Sequence, residues 1–574
     1  MAPKDADYLE IAHQRAIEKK THVSFPQLKY PSLRDEGFRD YKQWLLGKSM
    51  DDGAEGLWRV HDSLYDLGQF VESHPGGGEW LELTKGTDIT EAFECHHIAP
   101  IAEKLLPRFY VRDAKTPRNS PFTFKEDGFY RTLKNLVSEE IKKVPKDKLK
   151  CTNMITDGLF VALLISSALS CSTTNYWLVM GFSIVASVSL AWLVVAAHNY
   201  IHRKASWRMY YFNLSLWSYR EFRVTHALSH HLYPNTLMDI EVSGFEPLIF
   251  WNPRKNMPFY ANLAILLEFI IFPFLFITNW IRRMLVALLR DGLFTKHNGI
   301  YWHDLIGFSL PLWMYFASNA NFYDVITIWL GILCGGSFVF FVIGANAAHH
   351  HPKIFKDGDQ VSDVTLDWGM HELEAVMDRP NINDSHFKVM TFFGHHSLHH
   401  LFPTLDHALL EYLYPVFLKQ CEKYKANFRQ MSQLELFIVL GFATIFEEFS
   451  RFLQDPFNRS SPDEYGTTWE LINYEVHYTV VAISTNEFKI ITGINGGFAN
   501  AVDEKQNIVY LGGRDDGLFY IDDSTKKVEK LTSIETVYGV AIEADGSIIY
   551  ASEDSLIRLK PTKTYCYSNE KISL

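Results

Sequence analysis

The sequence predicts a multi-domain membrane protein with a soluble N-terminal flank, a mainly α-helical spanning region and a short all-β tail. Three observations carry that reading. First, a mean hydropathy of −0.07 averages over very unequal regions: residues 1–150 are polar, apolar stretches fill 157–346, and polarity returns from about 352. Second, twelve of the 24 histidines fall in four short stretches that total 20 residues, where even scatter would place fewer than one. Third, residues 471–574 change to short strand-like runs broken by Gly and Asp turns.

At 574 residues the chain is too long for one ordinary domain. A net charge of −12 with 15% aromatic residues argues against a nucleic-acid partner. Six cysteines without a CxxC pair exclude a disulfide framework or a zinc ribbon, and Cys95 reads as a packed thiol. The opening "MAPKDADYLE" lacks a basic-then-apolar leader, so the chain is expected to begin in the cytosol.

The apolar stretches are 159–173, 176–197, 261–281, 304–318 and 325–345. Three reach the roughly 20 residues a bilayer requires, while 159–173 and 304–318 need help from their flanks. The basic linker "KKVPKDKLK" (142–150) puts the entry to the first span in the cytosol. Stretches 159–173 and 176–197 then form a hairpin that returns to that side. Of the next three, one must not cross, or the later histidines end up across the membrane from the earlier ones. The choice falls on 261–281, which holds Glu268 and Pro273 and runs into Arg282 and Arg283. An interfacial or re-entrant segment tolerates all four. Four spans are expected, with 304–318 and 325–345 as the second hairpin.

The histidine spacing suits a metal site. His198 and His202 stand four apart at the end of an apolar stretch and share a helix face. His226, His230 and His231 are expected to converge similarly, as are His396, His399 and His400. Imidazole suits iron, and a shell of neutral nitrogen ligands can hold two metal ions that also bind dioxygen. Over roughly residues 154–425 this pattern resembles the tripartite histidine boxes of membrane fatty acid desaturases and hydroxylases. The resemblance implies two non-haem iron ions held by His198, His202, His226, His230, His231, His396, His399 and His400. Asn346 and His350 resemble an Asn-x-x-x-His feature of some acyl-CoA desaturases, which adds His350 to the candidate ligands. His349 is the alternative, because the run of three histidines blurs the register. His395 is expected beside the ligands or facing solvent.

The stretch "LWRVHDSLYDLGQFVESHPGGGEWLELTKGTDITEAFECHH" (57–97) resembles a cytochrome b5 domain. It has a Trp58–Val60 strand, a Tyr65–Asp66 turn, "HPGG" at 74–77, "GTDIT" at 86–90, and Phe93 with a histidine four residues on. The resemblance implies an α+β cytochrome b5-like haem domain with His74 and His97 as axial ligands of haem b, His96 being the runner-up. Two imidazoles leave no open axial position, so such a haem carries electrons and does not bind oxygen. No side chain beyond these ligands is assigned a catalytic role.

Together these features resemble a cytochrome b5-fused fatty acid desaturase, of the cytochrome b5-related protein type. The expected organisation is an N-terminal extension (1–49), the haem domain (50–115), a basic linker (116–153), a mainly α-helical four-span membrane desaturase domain (154–430), an amphipathic linker (431–470) and the tail (471–574). Implied partners are an NADH-cytochrome b5 reductase-type electron donor, a fatty acyl lipid or acyl-CoA substrate, O2 and the membrane of the endoplasmic reticulum, with haem and histidines facing the cytosol. Trp192, Trp217, Trp313 and Phe338 are candidates for a substrate channel, although aromatic residues in spans more often pack or anchor. Members acting near the carboxyl end usually begin the third box with glutamine. Here that position is His396, which leaves open the position of attack and the choice between desaturation and hydroxylation. The alternative reading is a membrane-anchored haem electron carrier or lipid-binding protein without this chemistry.

In the tail, "NIVYLGGRDDGLFYID" (507–522) recurs loosely as "SIIYASEDSLIRLK" (547–560), with Tyr510 and Tyr550 in register. About two β-propeller-like blades are expected, as a fused fragment with no chemistry of its own. "LFIVLGFATIF" (436–446) is too short to span and is expected to be an amphipathic or buried helix.

Overall fold

A computed structural model describes residues 22–436, apart from 23, 26, 35–39, 146–147, 245, 247–263, 292–299, 345–347, 352, 360 and 362–365, together with the backbone of ten strands between 481 and 572. Asn346 and nearly all of 436–446 lie outside the described residues. The chain forms a large unit within 6–449 and a tail unit from 450 onward.

The large unit opens with an antiparallel sheet of β1 (Trp58–Val60), β2 (Ser63–Tyr65) and β3 (Tyr110–Asp113), in that order. Helices α1 (Gly78–Thr84) and α2 (Thr90–His96) complete an α+β domain. The indole N–H of buried Trp58 donates to the Leu81 carbonyl at 3.0 Å and ties β1 to α1. Gly77, at φ +105°, turns the chain into α1 where an L side chain would be strained. Helix α3 (Phe129–Glu140) then buries Phe129, Tyr130, Leu133 and Val137 along one face, as a 3.6-residue period requires.

Helices α4 (Lys148–Cys171) and α5 (Tyr176–Ile201) form the first hairpin. Asn175 caps α5 by accepting from the backbone N–H groups of Trp177 and Leu178. The first half of α5 is largely exposed and its second half buried, so the helix drives its histidine-bearing end into the protein. Further along the chain come α6 (Ala264–Ile271), a 3-10 turn around Pro273, and α7 (Leu275–Val286). Helix α8 (Ser309–Ala317) leads into α9 (Phe322–Gly344). Close packing of α9 on α5 depends on missing side chains. A Cβ at Gly335 would meet Ser187 Oγ at 2.5 Å, and one at Gly336 would meet Leu190 Cδ2 at 3.0 Å.

Four helices among the described residues are long and apolar enough to cross a membrane: α4, α5, Leu267–Arg290 and α9. Judged by length and composition, the expectation is corrected at one place, because Leu267–Arg290 qualifies and the 304–318 segment does not. The reason is local geometry. Trp302–Phe308 is a 3-10 helix leading into α8, a stretched form that rises about 28 Å together with α8 while using few residues. Leu267–Arg290 gains its length by continuing along the surface. Phe269 packs on Phe338 with ring centres 5.7 Å apart, and Phe272 on Phe341 at 5.4 Å. Phe338 lies only about 9 Å of helical rise from the end of α9. Arg282 and Arg283 pair with Glu221, and Arg290 reaches Asp40 at 2.6 Å. The segment thus climbs the last turns of α9 and does not run the helix's full length.

Two cores result. One lies among the spanning helices, with Leu163, Leu190, Phe272, Ile332 and Phe340. The other joins the N-terminal α+β domain to the cap over the spans: Trp58, Trp80, Phe93, Tyr130, Val224, Leu398 and Phe402 belong to one cluster. Helices α10 (Trp368–Glu374) and α11 (His396–Leu401) complete the cap.

In the tail, β4 (Val481–Ser484) pairs with β5 (Glu487–Ile490). Strands β6 (Gly497–Asp503), β7 (Ile508–Gly513), β8 (Gly517–Asp522) and β9 (Lys527–Lys530) form one antiparallel meander. Strands β10 (Gly539–Ile542), β11 (Ile548–Ser552), β12 (Ser555–Pro561) and β13 (Tyr567–Ile572) form another. Tyr510 and Tyr550 occupy the third position of β7 and β11, so the sequence repeat matches the repeated sheet.

Candidate haem and metal centres

His74 and His97 face each other across a gap beside α1 and α2, their ring centres 6.1 Å apart. Each holds its Nδ1 against a backbone carbonyl of its own segment, Gly77 at 2.9 Å and Phe93 at 2.9 Å. That fixes the tautomer and leaves both Nε2 atoms free to bind. A metal about 2 Å from each imidazole nitrogen separates the ring centres by roughly 6 Å, so the pair fits an axially ligated haem. Burial depresses the His97 pKa, which keeps the ring neutral. His96 turns the other way, edge-on to Trp80 with ring centres 5.3 Å apart, and burial pushes its pKa down to about 3.

The second site gathers histidines from α5, the segment after it, the end of α9 and α11. Segment Arg223–His230 is π-helical, and the His231 N–H donates to the His226 carbonyl at 2.8 Å. This wide turn puts His226 and His231 on one side, with Nε2 atoms 3.0 Å apart, and turns His230 to another. The stretch thus divides between two groups of rings, while His226 and His230 still bring ligand atoms within 4.8 Å of one another beside Glu241. Helix α11 divides likewise. His399 Nε2 sits 3.1 Å from His198 Nε2, while His396 and His400 face the second group. His395 takes φ +52° at the start of α11, with its ring on Tyr414 at 5.2 Å.

Two main groups result. The first is His198, His202, His226, His231 and His399; the second contains His230, His349 and His400; a third set, His226 and His230 with Glu241, links them. In the second, His349 Nε2 lies 3.1 Å from His230 Nε2 and 2.7 Å from His396 Nε2, which adds His396. The register of the "HHH" run thus brings in His349, and His350 instead lines the adjoining cavity. The groups touch where the His231 and His400 rings stack 4.0 Å apart.

Carboxylates that sequence reasoning missed orient the rings. His230 Nδ1 bonds Asp239 at 2.8 Å, His226 Nδ1 bonds Glu241 at 2.7 Å, and His400 Nδ1 bonds Glu372 at 2.9 Å. Pairing of this kind is usual behind metal-ligating histidine. Burial and then neighbouring imidazoles hold the pKa of His231, His399 and His400 well below the ordinary histidine value. At His230 burial acts downward, but Asp239 and Glu241 outweigh it and raise the pKa. Neutral rings whose nitrogens crowd within 3.1 Å in a dry pocket oppose lone pair to lone pair, and a cation relieves that. His400 Nε2 is buried with no polar partner. The donor set fits iron.

Beside the second group lies a cavity of about 430 Å³. Trp217, Leu275, Phe340, Phe341 and Phe393 give it apolar walls, and His230, His349 and His396 close one end. Of the four aromatic channel candidates, Trp217 lines it. Trp192 packs on Phe387, Trp313 donates to the Leu164 carbonyl at 2.9 Å, and Phe338 covers Phe269.

Comparison with known proteins finds both domains. The description "Fatty acid desaturase" matches residues 175–432, and "Cytochrome b5-like Heme/Steroid binding domain" matches 46–115. A "Cytochrome b5-related protein" of Drosophila melanogaster is 40% identical over 71% of this chain and 92% of its own length. A "Probable Delta(5) fatty acid desaturase C" of Dictyostelium discoideum is 24% identical over 68% of this chain and 91% of its own. An "Acyl-lipid (8-3)-desaturase" of Mortierella alpina is 22% identical over 64% and 88%. No solved structure matches.

Proposed function

Because the chain belongs to the cytochrome b5-fused fatty acid desaturase family, we propose that it is a membrane oxidoreductase that uses haem-relayed electrons, two irons and O2 to desaturate fatty acyl chains of lipid or acyl-CoA. The observation that carries this reading is the pair of histidine groups, backed by carboxylates and opening on an apolar cavity.

His198, His202, His226, His231 and His399 would hold one iron, and His230, His349, His396 and His400 the other. When bound, iron supplies the oxygen activation that removal of hydrogen from an unactivated C–H bond demands. The chain's residues do the rest. Asp239, Glu241 and Glu372 hold the rings by their Nδ1 atoms. Trp217, Phe340, Phe341 and Phe393 bind an acyl segment against the His349 end and keep bulk water away. His74 and His97 would hold haem b, reduced by an NADH-cytochrome b5 reductase-type donor.

The proposed setting is the endoplasmic reticulum membrane, with haem and histidines in the cytosol. The basic linker before α4 supports that orientation.

The test is total iron against haem in purified protein, followed by lipid mass spectrometry of cells that express it. About three irons per haem and a new double bond are expected. One iron per haem after reconstitution with ferrous iron, with unchanged lipids, would leave a haem electron carrier.

A further inference from the structure

The segment carrying His97 and the segment carrying His399 and His400 meet inside the shared core, where two hydroxyl groups bridge them. Thr404 Oγ1 donates to the carbonyl of His96, the neighbour of His97, at 3.3 Å. The Tyr130 hydroxyl lies 3.4 Å from the Glu94 carbonyl and 3.2 Å from that of Leu401, sharing its proton between them. Leu401 is peptide-bonded to His400. Tyr130 is wholly buried, and its ring stacks on Phe402 with centres 5.8 Å apart.

Neighbouring groups hold both ends still. The Glu94 carboxylate takes Lys134 at 3.1 Å and also Arg131. Phe93, Tyr130, Leu398, Leu401 and Phe402 pack in one cluster around the bridges. Electronic coupling between two centres falls more steeply across empty gaps than along covalent and hydrogen bonds. A path from His97 through one peptide bond, one hydrogen bond and a few residues to His400 therefore has an advantage. The competing route runs from His96 to the Trp80 indole at 5.3 Å and on to the Arg223 guanidinium at 4.7 Å, and it crosses two non-bonded gaps.

We propose that Tyr130 and Thr404 are positioning residues that couple the haem to the histidine-held irons, so that electrons pass within one chain across a fixed contact. This rests on the oxidoreductase reading. Each transfer moves one electron: ferrous haem becomes ferric, one ferric ion among the histidines becomes ferrous, and no bond or proton changes place. The reductase-type donor resupplies the haem.

The test uses the full chain in detergent, loaded with haem and iron. The haem is reduced with dithionite, mixed with oxygen, and its reoxidation followed by stopped-flow absorbance. The rate in His399→Ala serves as the background for direct haem oxidation. Thr404→Val and Tyr130→Phe should each slow the remaining rate several-fold, and the double variant more. Haem spectrum, reduction potential and iron content should stay at the wild-type level, and Thr404→Ser should restore the rate. A double variant that keeps both cofactors and reoxidises at the wild-type rate overturns the proposal, as does equal slowing by Thr404→Ser and Thr404→Val. Bridge-dependent reoxidation without any acyl product would sink the desaturase reading and still support the bridge.

Discussion

The two centres are built on opposite plans. The proposed haem pair, His74 and His97, comes from one short segment, and each imidazole is steadied by a carbonyl of its own loop or helix. The histidine groups draw on residues from 198 to 400, steadied by carboxylates from still other segments. A locally assembled site needs only its own domain folded. A site assembled from distant parts reports on the whole membrane unit, and small errors anywhere in that unit reach it.

The largest test of this contrast pairs His399→Ala with His74→Ala. His399→Ala should abolish product while the haem absorption spectrum stays normal. His74→Ala should remove the b-type spectrum and reductase-driven turnover, while the non-haem iron measured by metal analysis stays bound. Next come the carboxylates. Asp239→Ala or Glu372→Ala should cost about 10–100-fold in iron affinity or activity, read by chelator competition and product assay, with haem content unmoved. A change remote from both sites sharpens the point further. Gly335→Val drives a branched side chain into Ser187 and should cost about 1–3 kcal/mol of stability, read as a lowered Tm, with iron occupancy falling before haem. The smallest effect is expected at the cavity edge. His350→Ala should leave iron content at the wild-type level, whereas His349→Ala should lose iron; the reverse outcome would reinstate the register read from sequence.

That last pair marks the limit of what the sequence could tell. The clustering of histidines was legible, because imidazoles at helical spacing beside apolar stretches stand out in the sequence. Their division into two groups was not, since spacing cannot reveal that Arg223–His230 winds as a π-helix. A run of three histidines offers no mark by which to choose His349. Asp239, Glu241 and Glu372 are single acids among the chain's many and gain meaning only from what their oxygens touch. The haem domain was legible from its turns and histidines. Its shared core with Leu398 and Phe402 was not, because no short pattern links residues so far apart. The number of candidate spans was legible, whereas their identity was not, because the 302–317 run is part 3-10 helix and Leu267–Arg290 is long and apolar enough in its place.

The π-helical turn has a consequence for how this protein tolerates change. A π-turn holds one residue more than the α-turn it replaces, so it can be erased by losing a single codon. Deleting Ala227 would leave every histidine in the chain, and a motif search would still find a box of three. The shortened segment would wind as an ordinary α-helix in which His226 and His231, now four apart, still share a face, while His230, now three residues from His226, turns farther from it. The wide turn and the shortened one would therefore present the same pair of rings, and the cost of the change would fall on His230.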